Sequence, residues 1–496
     1  MRQTSRVFLL LVLGVLFISQ IPSISARREN SHPFFKKTKF DPIPHHVKLE
    51  SELDAGETLY ASKYVDDHKT AKKLSCVEIG APFTNCKKLE SIDYSLDATT
   101  DPFSFSGFIT VNETDNSNLF YWFFEAQNGN KDAPVVLFLQ GGPGASSLFG
   151  LFSENGPYAM LPNLTMVPRN PSWNTNYSMI YIDNPVGTGF SFTEGALNSN
   201  EDEIASNLFS CLQQFFKLYP EYADNEFYVA GESYGSRYIS ALAYYTIQQN
   251  YAGVNLKGIA IGDGFADLRS MVTQYANLCF YTGLCDMVQT GIFEMYQAKI
   301  IAAIDQEQWL IANDLFTDLV NGPPDLFTNY TGSSNYYDIR TSSEPSYGGD
   351  FETFVNSTQI RQLLHVGNHY FQDNDDVYNA LREDIPKSST PLYPPILSSG
   401  MKVMLYNGNM DFIVHPTLTE YFITTIPWSG IPFLYESPRI IWRLPSDPSS
   451  VAGYVKQYQN FIQVTVRDAG HMVPFNQPER ALDMITRFIE NLPFPS

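Results

Sequence analysis

The sequence around Ser233 has the residue pattern of a nucleophilic serine. Ser233 lies in Gly231-Glu232-Ser233-Tyr234-Gly235, between an apolar run and a helical pattern. A Gly-x-Ser-x-Gly motif at a strand-to-helix turn exposes the serine hydroxyl above the sheet of a hydrolase. The sequence therefore predicts a nucleophile here, and it raises the question of why an acid, Glu232, stands beside it.

A serine nucleophile needs a general base, and the base needs an acid that orients it. Four histidines follow the serine, namely His365, His369, His415 and His471. His471 comes directly after the last predicted strand and Asp411 follows an earlier one, in the chain order Ser, Asp, His that this type of hydrolase uses. The spacing of His365 and His369 could suit a metal, but Gly367 weakens a helix there and no third ligand is evident, so we favour a surface or structural role.

A glycine pair supplies a candidate for the third part of such a site. Gly141 and Gly142 follow a predicted strand that ends at Gln140. Glycines in that position can turn a backbone amide towards a developing oxyanion. An ordinary glycine-rich turn is the alternative interpretation.

The elements that must position these residues are strand-like runs that alternate with helical patterns. Alternation of this kind predicts a mostly parallel sheet covered by helices on both faces. The first two runs look like an antiparallel pair, and a helical pattern covers residues 203–218. The predicted strands cover residues 105–111, 119–126, 135–140, 179–183, 226–230, 256–261, 402–406 and 461–467.

One interval, residues 265–398, has helical periodicity but no clear core strand. We interpret it as a mainly helical cap inserted into the sheet domain, whose two parts are residues 76–264 and 399–496. Residues 26–75 are polar and without a strong period, which is typical of a propeptide or a loosely attached arm.

The first 25 residues have the pattern of a signal peptide. Arg2 and Arg6 precede an apolar run, and small residues follow around Ala26. The run is too short to span a bilayer comfortably, and no later apolar stretch is long enough. The pattern predicts a soluble protein of the secretory pathway, either secreted or delivered to a lysosome or vacuole.

Composition and cysteine usage fit that route. A formal net charge of −21 argues against a nucleic-acid partner, and 44% hydrophobic residues predict a globular chain. Five cysteines leave at least one thiol unpaired, and the easiest local pairs are Cys76–Cys86 and Cys279–Cys285. The glycosylation sequons begin at Asn112, Asn163, Asn176, Asn329 and Asn356.

Several long motifs, taken in order, resemble those of the serine carboxypeptidase family. They cover the chain from about residue 75 to its end. Gln140, Leu364-His-Val-Gly-Asn368 and Val451-Ala-Gly-Tyr-Val-Lys-Gln457 are most similar to the vitellogenic-like carboxypeptidase branch. The motifs are Gln140-Gly-Gly-Pro-Gly-Ala-Ser-Ser147, Glu154-Asn-Gly-Pro157, Asp183-Asn-Pro-Val-Gly-Thr-Gly-Phe-Ser191, Gly231-Glu-Ser-Tyr-Gly235 and Gly470-His-Met-Val-Pro474.

The resemblance implies an α/β-hydrolase fold and a peptidase that removes single C-terminal residues at acidic pH, without a cofactor or metal. It makes Ser233 the nucleophile, His471 the base and Asp411 its orienting acid. The oxyanion hole would be the amides of Gly142 and Tyr234.

The resemblance also answers the question of the neighbouring acid. Glu232, Glu154 and Gln140 match the residues that hold the substrate's free carboxylate in this family. Two close carboxyl groups do not both ionise readily, so one keeps a proton that it can donate to that carboxylate.

Three positions depart from the family pattern, and other functions stay open. Gln140 replaces the usual Asn, Phe138 the usual Trp, and Ala145 a Cys that forms a family disulfide. An acyltransferase on the same scaffold, or a non-enzymatic binding protein, remain alternatives to a peptidase that acts on peptide and protein C-termini. Dimerisation is also possible.

Overall fold

The structure is a computed structural model that describes residues 104–161, 163–322, 324–347, 349–372 and 375–495. The predicted signal peptide, the N-terminal arm and the proposed Cys76–Cys86 pair lie outside these residues. The predicted disulfide between Cys279 and Cys285 is confirmed, and Cys211 is buried and forms no disulfide with another described residue.

The described residues contain one large sheet of ten strands and a small sheet of two. The order across the large sheet is β1-β2-β6-β3-β7-β8-β9-β12-β11-β10, and β4 pairs with β5. The strands are β1 (Ser104–Asn112), β2 (Ser117–Phe124), β3 (Val135–Leu139), β4 (Tyr158–Met160), β5 (Met166–Pro168), β6 (Ser178–Ile182), β7 (Phe227–Glu232), β8 (Leu256–Gly262), β9 (Lys402–Gly408), β10 (Ile440–Trp442), β11 (Gly453–Tyr458) and β12 (Phe461–Val466).

The six neighbouring strands β6, β3, β7, β8, β9 and β12 run parallel. Antiparallel strands flank them on both sides, β1 and β2 on one and β11 and β10 on the other. Successive residues of a strand face opposite sides of the sheet. In β3, Val135 and Leu137 accordingly pack into one hydrophobic cluster, whereas Val136 and Phe138 pack into the other. The two clusters bury both faces of the central strands, which explains their continuous apolar sequences.

Helices cover both faces of the sheet and fill the chain between β8 and β9. Helix α1 begins at Asn200, whose side chain accepts a hydrogen bond from the Glu203 amide. The helices are α1 (Glu201–Leu218), α2 (Gly235–Gln248), α3 (Leu268–Met271), α4 (Tyr275–Tyr281), α5 (Met287–Asp305), α6 (Trp309–Leu319), α7 (Leu326–Thr331), α8 (Phe351–Asn356), α9 (Thr358–Leu363), α10 (Asp375–Leu381), α11 (Tyr393–Ser398), α12 (Pro416–Thr425), α13 (Ile431–Glu436), α14 (Val473–Asn476) and α15 (Pro478–Glu490).

This arrangement confirms the predicted parallel sheet flanked by helices, and each predicted strand is present within two residues at either end. The sequence analysis missed β4, β5, β10 and β11. Between β8 and β9 the described residues form helices and loops and add no strand to the large sheet. No helix among the described residues is long and apolar enough to cross a membrane.

The parallel strands place the site. The carboxyl ends of β3, β7, β8, β9 and β12 lie side by side at one edge of the sheet. The predicted site residues Gln140, Ser233, Asp411 and His471 all follow these ends. Ligands of open α/β sheets bind at such an edge.

Candidate active site

Ser233 lies in a sharp turn between β7 and α2. Its backbone has a φ of +58°, which is unusual for a residue with a side chain. The turn is held by hydrogen bonds from the Ser233 amide to the Gly262 carbonyl and from the Phe265 amide to the Ser233 carbonyl, both 3.0 Å long. A residue held in a left-handed conformation by its surroundings is a frequent feature of functional sites.

Gly141 and Gly142 pack against this turn. A Cβ atom at Gly141 would lie only 2.7 Å from both the Ser233 Cβ and the Tyr234 amide nitrogen. Gly142 has a φ of +108°, a conformation that glycine adopts without strain. Among the described residues, no hydrogen bond uses the amides of Gly142 or Tyr234 as donors. Two unoccupied amides therefore lie beside the serine.

His471 and Asp411 form a buried pair. The His471 Nδ1 lies 2.7 Å from the Asp411 Oδ2, and both side chains are fully buried. Asp411 also accepts the amides of Ile413 at 2.9 Å and Val414 at 3.1 Å, which fixes its carboxylate. The His471 Nε2 has no hydrogen-bond partner in the described part of the chain. The imidazole is thus oriented through one nitrogen while the other remains available.

Two opposing effects act on the pKa of His471. Burial lowers the pKa of the imidazole, but the charge of Asp411 and its hydrogen bond outweigh burial, so the pKa lies above its ordinary value. The result is a strong base that loses its proton only above its usual range.

Tyr337 links this pair to the cleft above the serine. Its carbonyl accepts the His471 amide at 2.8 Å, and the two rings lie 5.1 Å apart between centroids. Tyr337 and Ser233 line the same cleft. The sequence analysis did not single out Tyr337, because it lies in a polar stretch without a motif.

A second group of polar side chains is buried next to the serine turn, since Glu232 directly precedes Ser233. The Gln140 Nε2 donates a hydrogen bond of 2.8 Å to the Glu232 Oε1, so the longer amide side chain still reaches its partner. Both Glu154 oxygens and the Glu232 Oε2 lack a protein donor among the described residues. Burial and then the neighbouring charge of Glu232 raise the pKa of Glu154 well above its usual value. Burial also raises the pKa of Glu232, although His471, Glu154 and Gln140 partly oppose this.

Glu154 lies at the end of a short π-helical turn, Gly150–Glu154. Arg169 donates to the Ser153 carbonyl at 3.2 Å and also bonds the Phe152 carbonyl, which holds this turn in place. Phe138 packs against Gly150, since a Cβ there would lie 2.4 Å from its ring. The Phe at this family Trp position therefore contributes packing that positions Glu154.

Asp183 supports the loop after the glycine pair. It is fully buried, accepts a hydrogen bond from the Ser146 hydroxyl and accepts the Phe190 amide at 2.8 Å. Burial raises its pKa to about 7, against the opposing effect of these donors. The Asp183 motif thus holds the turn that carries Gly142.

Two adjoining cavities lie near the serine turn, and Ser233 lines one of them. One, of about 430 Å³, touches Ser233 itself and is lined mostly by apolar side chains, with Phe265, Phe316, Ile385, Ile413 and Val414 among them. The other, of about 820 Å³, lies beyond Gly144 and includes Phe149, which precedes the turn that carries Glu154. Tyr337 contributes to both cavities, so they adjoin.

The remaining predicted residues lie away from this site. The His365 Nδ1 lies 3.1 Å from the Ser106 carbonyl oxygen, and the His369 ring stacks on Phe192, which fits the structural role that we favoured. Asn163 and Asn329 are exposed, and Asn112 and Asn176 are half-buried. The Asn356 amide donates to the Phe371 carbonyl at 3.1 Å, so this sequon nitrogen is occupied.

Known proteins are similar to this chain over most of its length. The model of the serine carboxypeptidase family matches residues 96–491. The chain belongs to the serine carboxypeptidase family. This membership confirms the resemblance carried by the motifs.

Individual serine carboxypeptidases show how far the similarity extends. The "probable serine carboxypeptidase CPVL" of Dictyostelium discoideum is 58% identical over 99% of both chains. The vitellogenic carboxypeptidase of Aedes aegypti is 36% identical over 88% of this chain and 90% of its own, which confirms the predicted branch. The crystal structure of a prohormone-processing carboxypeptidase from Saccharomyces cerevisiae superposes with a TM-score of 0.70 at 24% identity, over 81% of this chain and 94% of its own. This last likeness confirms the α/β-hydrolase fold.

Proposed function

We propose that this serine carboxypeptidase removes single residues from the C-termini of peptides through an acyl-enzyme, with Ser233 as the nucleophile. The observation that carries the proposal is the buried Glu154–Glu232 pair beside the serine turn. The substrates of an esterase or lipase carry no free carboxylate for two acids to bind, whereas an exopeptidase must recognise the carboxylate at the end of a chain.

The chemistry follows from the positions of the groups. The Ser233 Oγ attacks the carbonyl carbon of the last peptide bond while the free Nε2 of His471 accepts its proton. The amides of Gly142 and Tyr234 stabilise the oxyanion. His471 then returns the proton to the leaving amine, and a water molecule hydrolyses the acyl-enzyme by the same steps.

Recognition of the chain end falls to Gln140, Glu154 and Glu232. Among the described residues the pair has no protein donor beyond the Gln140 amide, and we propose that a proton shared between the two carboxyls completes their hydrogen bonding. In that state a carboxyl group can donate to the substrate's carboxylate. The terminal residue then lies on the side of Glu154, and the apolar cavity at Ser233 accepts the side chain before it.

The proposed pair leads to a pH prediction. For a peptide acid with Phe as its penultimate residue, KM rises by on the order of tenfold between about pH 5 and about pH 8, while kcat changes less. Loss of the shared proton removes a donor and adds a charge that repels the substrate carboxylate. His471 imposes the opposite trend because it must be neutral to act as a base. A proton shared between Glu154 and Glu232 removes part of the negative charge that raises the pKa of His471, so kcat/KM peaks at mildly acidic pH. The measurement is kcat and KM across this range.

The C-terminal amide of the same peptide is the matched control. It carries no carboxylate, so its hydrolysis is weak at low pH and improves relative to the acid as pH rises. The double variant Glu154→Gln, Glu232→Gln flattens the KM profile of the acid. Parallel profiles for acid and amide in the wild-type protein contradict the shared-proton recognition site.

We further propose that the protein reaches its substrates through the secretory pathway. The sequons at Asn163 and Asn329 are exposed and suit glycosylation, and the Cys279–Cys285 disulfide suits an oxidising compartment. Digestion of the expressed protein with a glycosidase that releases N-linked glycans tests this. An unchanged mobility contradicts glycosylation at these sites.

A further inference from the structure

A third acid, Asp263, lies directly behind the His471–Asp411 pair. It follows β8, between the strand that leads to Ser233 and the strand that leads to Asp411. Its side chain is fully buried, and its backbone has a φ of +42°. A buried acid in a strained conformation at this edge of the sheet needs a physical reason.

The contacts of Asp263 leave one oxygen unsatisfied. Its amide donates to the Tyr406 carbonyl at 2.7 Å, and its Oδ1 accepts the Gly408 amide at 3.0 Å. Its Oδ2 has no donor among the described residues. One atom each of the side chains of Asp263, Asp411 and His471 lie within 4.8 Å of one another. The two carboxyl groups are therefore neighbours in a fully buried space.

Two buried carboxylates at this separation cannot both ionise readily, so one of the two acids keeps its proton. Asp411 accepts three donors, the amides of Ile413 and Val414 and the His471 ring, and is the one stabilised as an anion. Among the described residues, Asp263 accepts a hydrogen bond only from the Gly408 amide. A proton on the Asp263 Oδ2 gives that atom the partner it lacks, because it can then donate to Asp411.

The other titratable groups around Asp263 favour the same assignment. Glu232 at the end of β7 and Asp411 both add negative charge, and Tyr406 in β9 is neutral. Two described histidines are subject to the charge of Asp411. Burial lowers the pKa of His415 to about 4, so it is neutral, and His471 must be neutral to act as a base. Burial, then the charges of Asp411 and Glu232, raise the pKa of Asp263 well above its usual value.

We infer that Asp263 is a neutral carboxylic acid that donates a hydrogen bond to Asp411 and so acts as a positioning residue for the His471–Asp411 pair. The inference rests on the proposed roles of Asp411 and His471. The donated hydrogen bond fixes the carboxylate and disperses part of its charge. Since that charge raises the pKa of His471, Asp263 limits the rise and keeps more of the imidazole neutral at acidic pH.

Two substitutions at Asp263 test this through the acidic limb of the kcat/KM profile, which reports the pKa of His471 in the free enzyme. Asp263→Asn keeps a neutral donor, so the limb stays within about 0.2 pH units of wild type. Asparagine also tolerates a positive φ, so this variant folds. Asp263→Ala removes the donor, and the limb moves to higher pH by about 0.5 to 1 unit.

An ionised Asp263 gives the opposite sign. Both substitutions would then remove a negative charge beside His471, and the limb would move to lower pH in both variants. A shift of the acidic limb to lower pH in Asp263→Asn is sufficient to overturn the inference, even if Asp263→Ala fails to fold. If Asp263 has a purely structural role, the substitutions change thermal stability but the acidic limb does not move in Asp263→Ala. That result also overturns the inference.

Infrared difference spectroscopy gives an independent readout. The wild-type spectrum minus that of Asp263→Asn contains the C=O stretching band of a protonated carboxylic acid near neutral pH, and a carboxylate band in its place contradicts the inference. Failure of the proposed function is distinguishable, because the wild-type protein would then not release a C-terminal residue at any pH.

Discussion

Ser233→Ala lowers kcat for a peptide with a free C-terminus by at least about 10⁴-fold and leaves the fold intact. In the proposed mechanism no acyl-enzyme forms without the Oγ, and the amides of Gly142 and Tyr234 then have no covalent tetrahedral intermediate to stabilise. The Ser233 side chain is half-buried at the cleft, so loss of one oxygen has little effect on packing. The measurements are steady-state release of the terminal residue and thermal unfolding of both proteins.

Ser236 provides the matched control for this substitution. It lies one helical turn later, is fully buried, and its Oγ has no hydrogen-bond partner among the described residues. Ser236→Ala therefore keeps kcat within about twofold of wild type. Full peptidase activity in Ser233→Ala, with contaminating enzymes excluded, removes Ser233 as the nucleophile.

Asp411→Asn also lowers kcat by on the order of 10⁴-fold, with little change in KM. The carboxylate accepts the His471 Nδ1–H and so favours the tautomer that leaves Nε2 free to accept a proton. An amide in its place permits the other tautomer and removes the charge that raises the pKa of His471. The acidic limb of the residual activity therefore moves to lower pH.

Asp325 offers a control for the loss of a buried aspartate elsewhere. It is buried at the start of α7, where its Oδ1 accepts the Thr328 amide at 2.6 Å. Asp325→Asn keeps an acceptor for this amide and leaves kcat close to wild type. If Asp411→Asn raises only KM, Asp411 belongs to substrate binding and a different acid orients His471.

The sequence predicts the middle of the sheet better than its edges, for a physical reason. Central strands such as β3 are buried on both faces, so their sequences are continuous apolar runs. β11 lies near the edge, and its sequence GYVKQY includes exposed polar residues that resemble a loop. The predicted strand ends were accurate enough to place Ser233, Asp411 and His471 at one edge.

Asp263 shows what the sequence could not provide. The serine, the histidine and the Gly pair stand in long motifs, whereas Asp263 is a single acid in Gly262-Asp263-Gly264 after a strand. Acids at loop starts are common, and only the pairing of β8 with β9 brings this one to Asp411. The available signal was its position directly after a buried strand that lies between two site-bearing strands.

The buried carboxyl groups also couple the free energy of unfolding to protons. Glu154, Glu232, Asp263 and Asp183 titrate near pH 4 in an unfolded chain, but burial raises the pKa of each in the folded protein, to about 7 for Asp183. Above about pH 4 the folded state therefore binds more protons than the unfolded state, and stability falls as pH rises. His415, whose pKa burial lowers to about 4, has the opposite sign and destabilises the fold below its ordinary pKa.

The melting temperature should therefore be highest at mildly acidic pH and decrease towards neutral pH. Calorimetry at about pH 5.5 and about pH 8 measures the difference, and the Glu154→Gln, Glu232→Gln double variant reduces it. A melting temperature that rises over this interval contradicts the linkage. Under the proposed recognition of the chain end, stability and affinity for peptide acids would both decrease from mildly acidic to neutral pH.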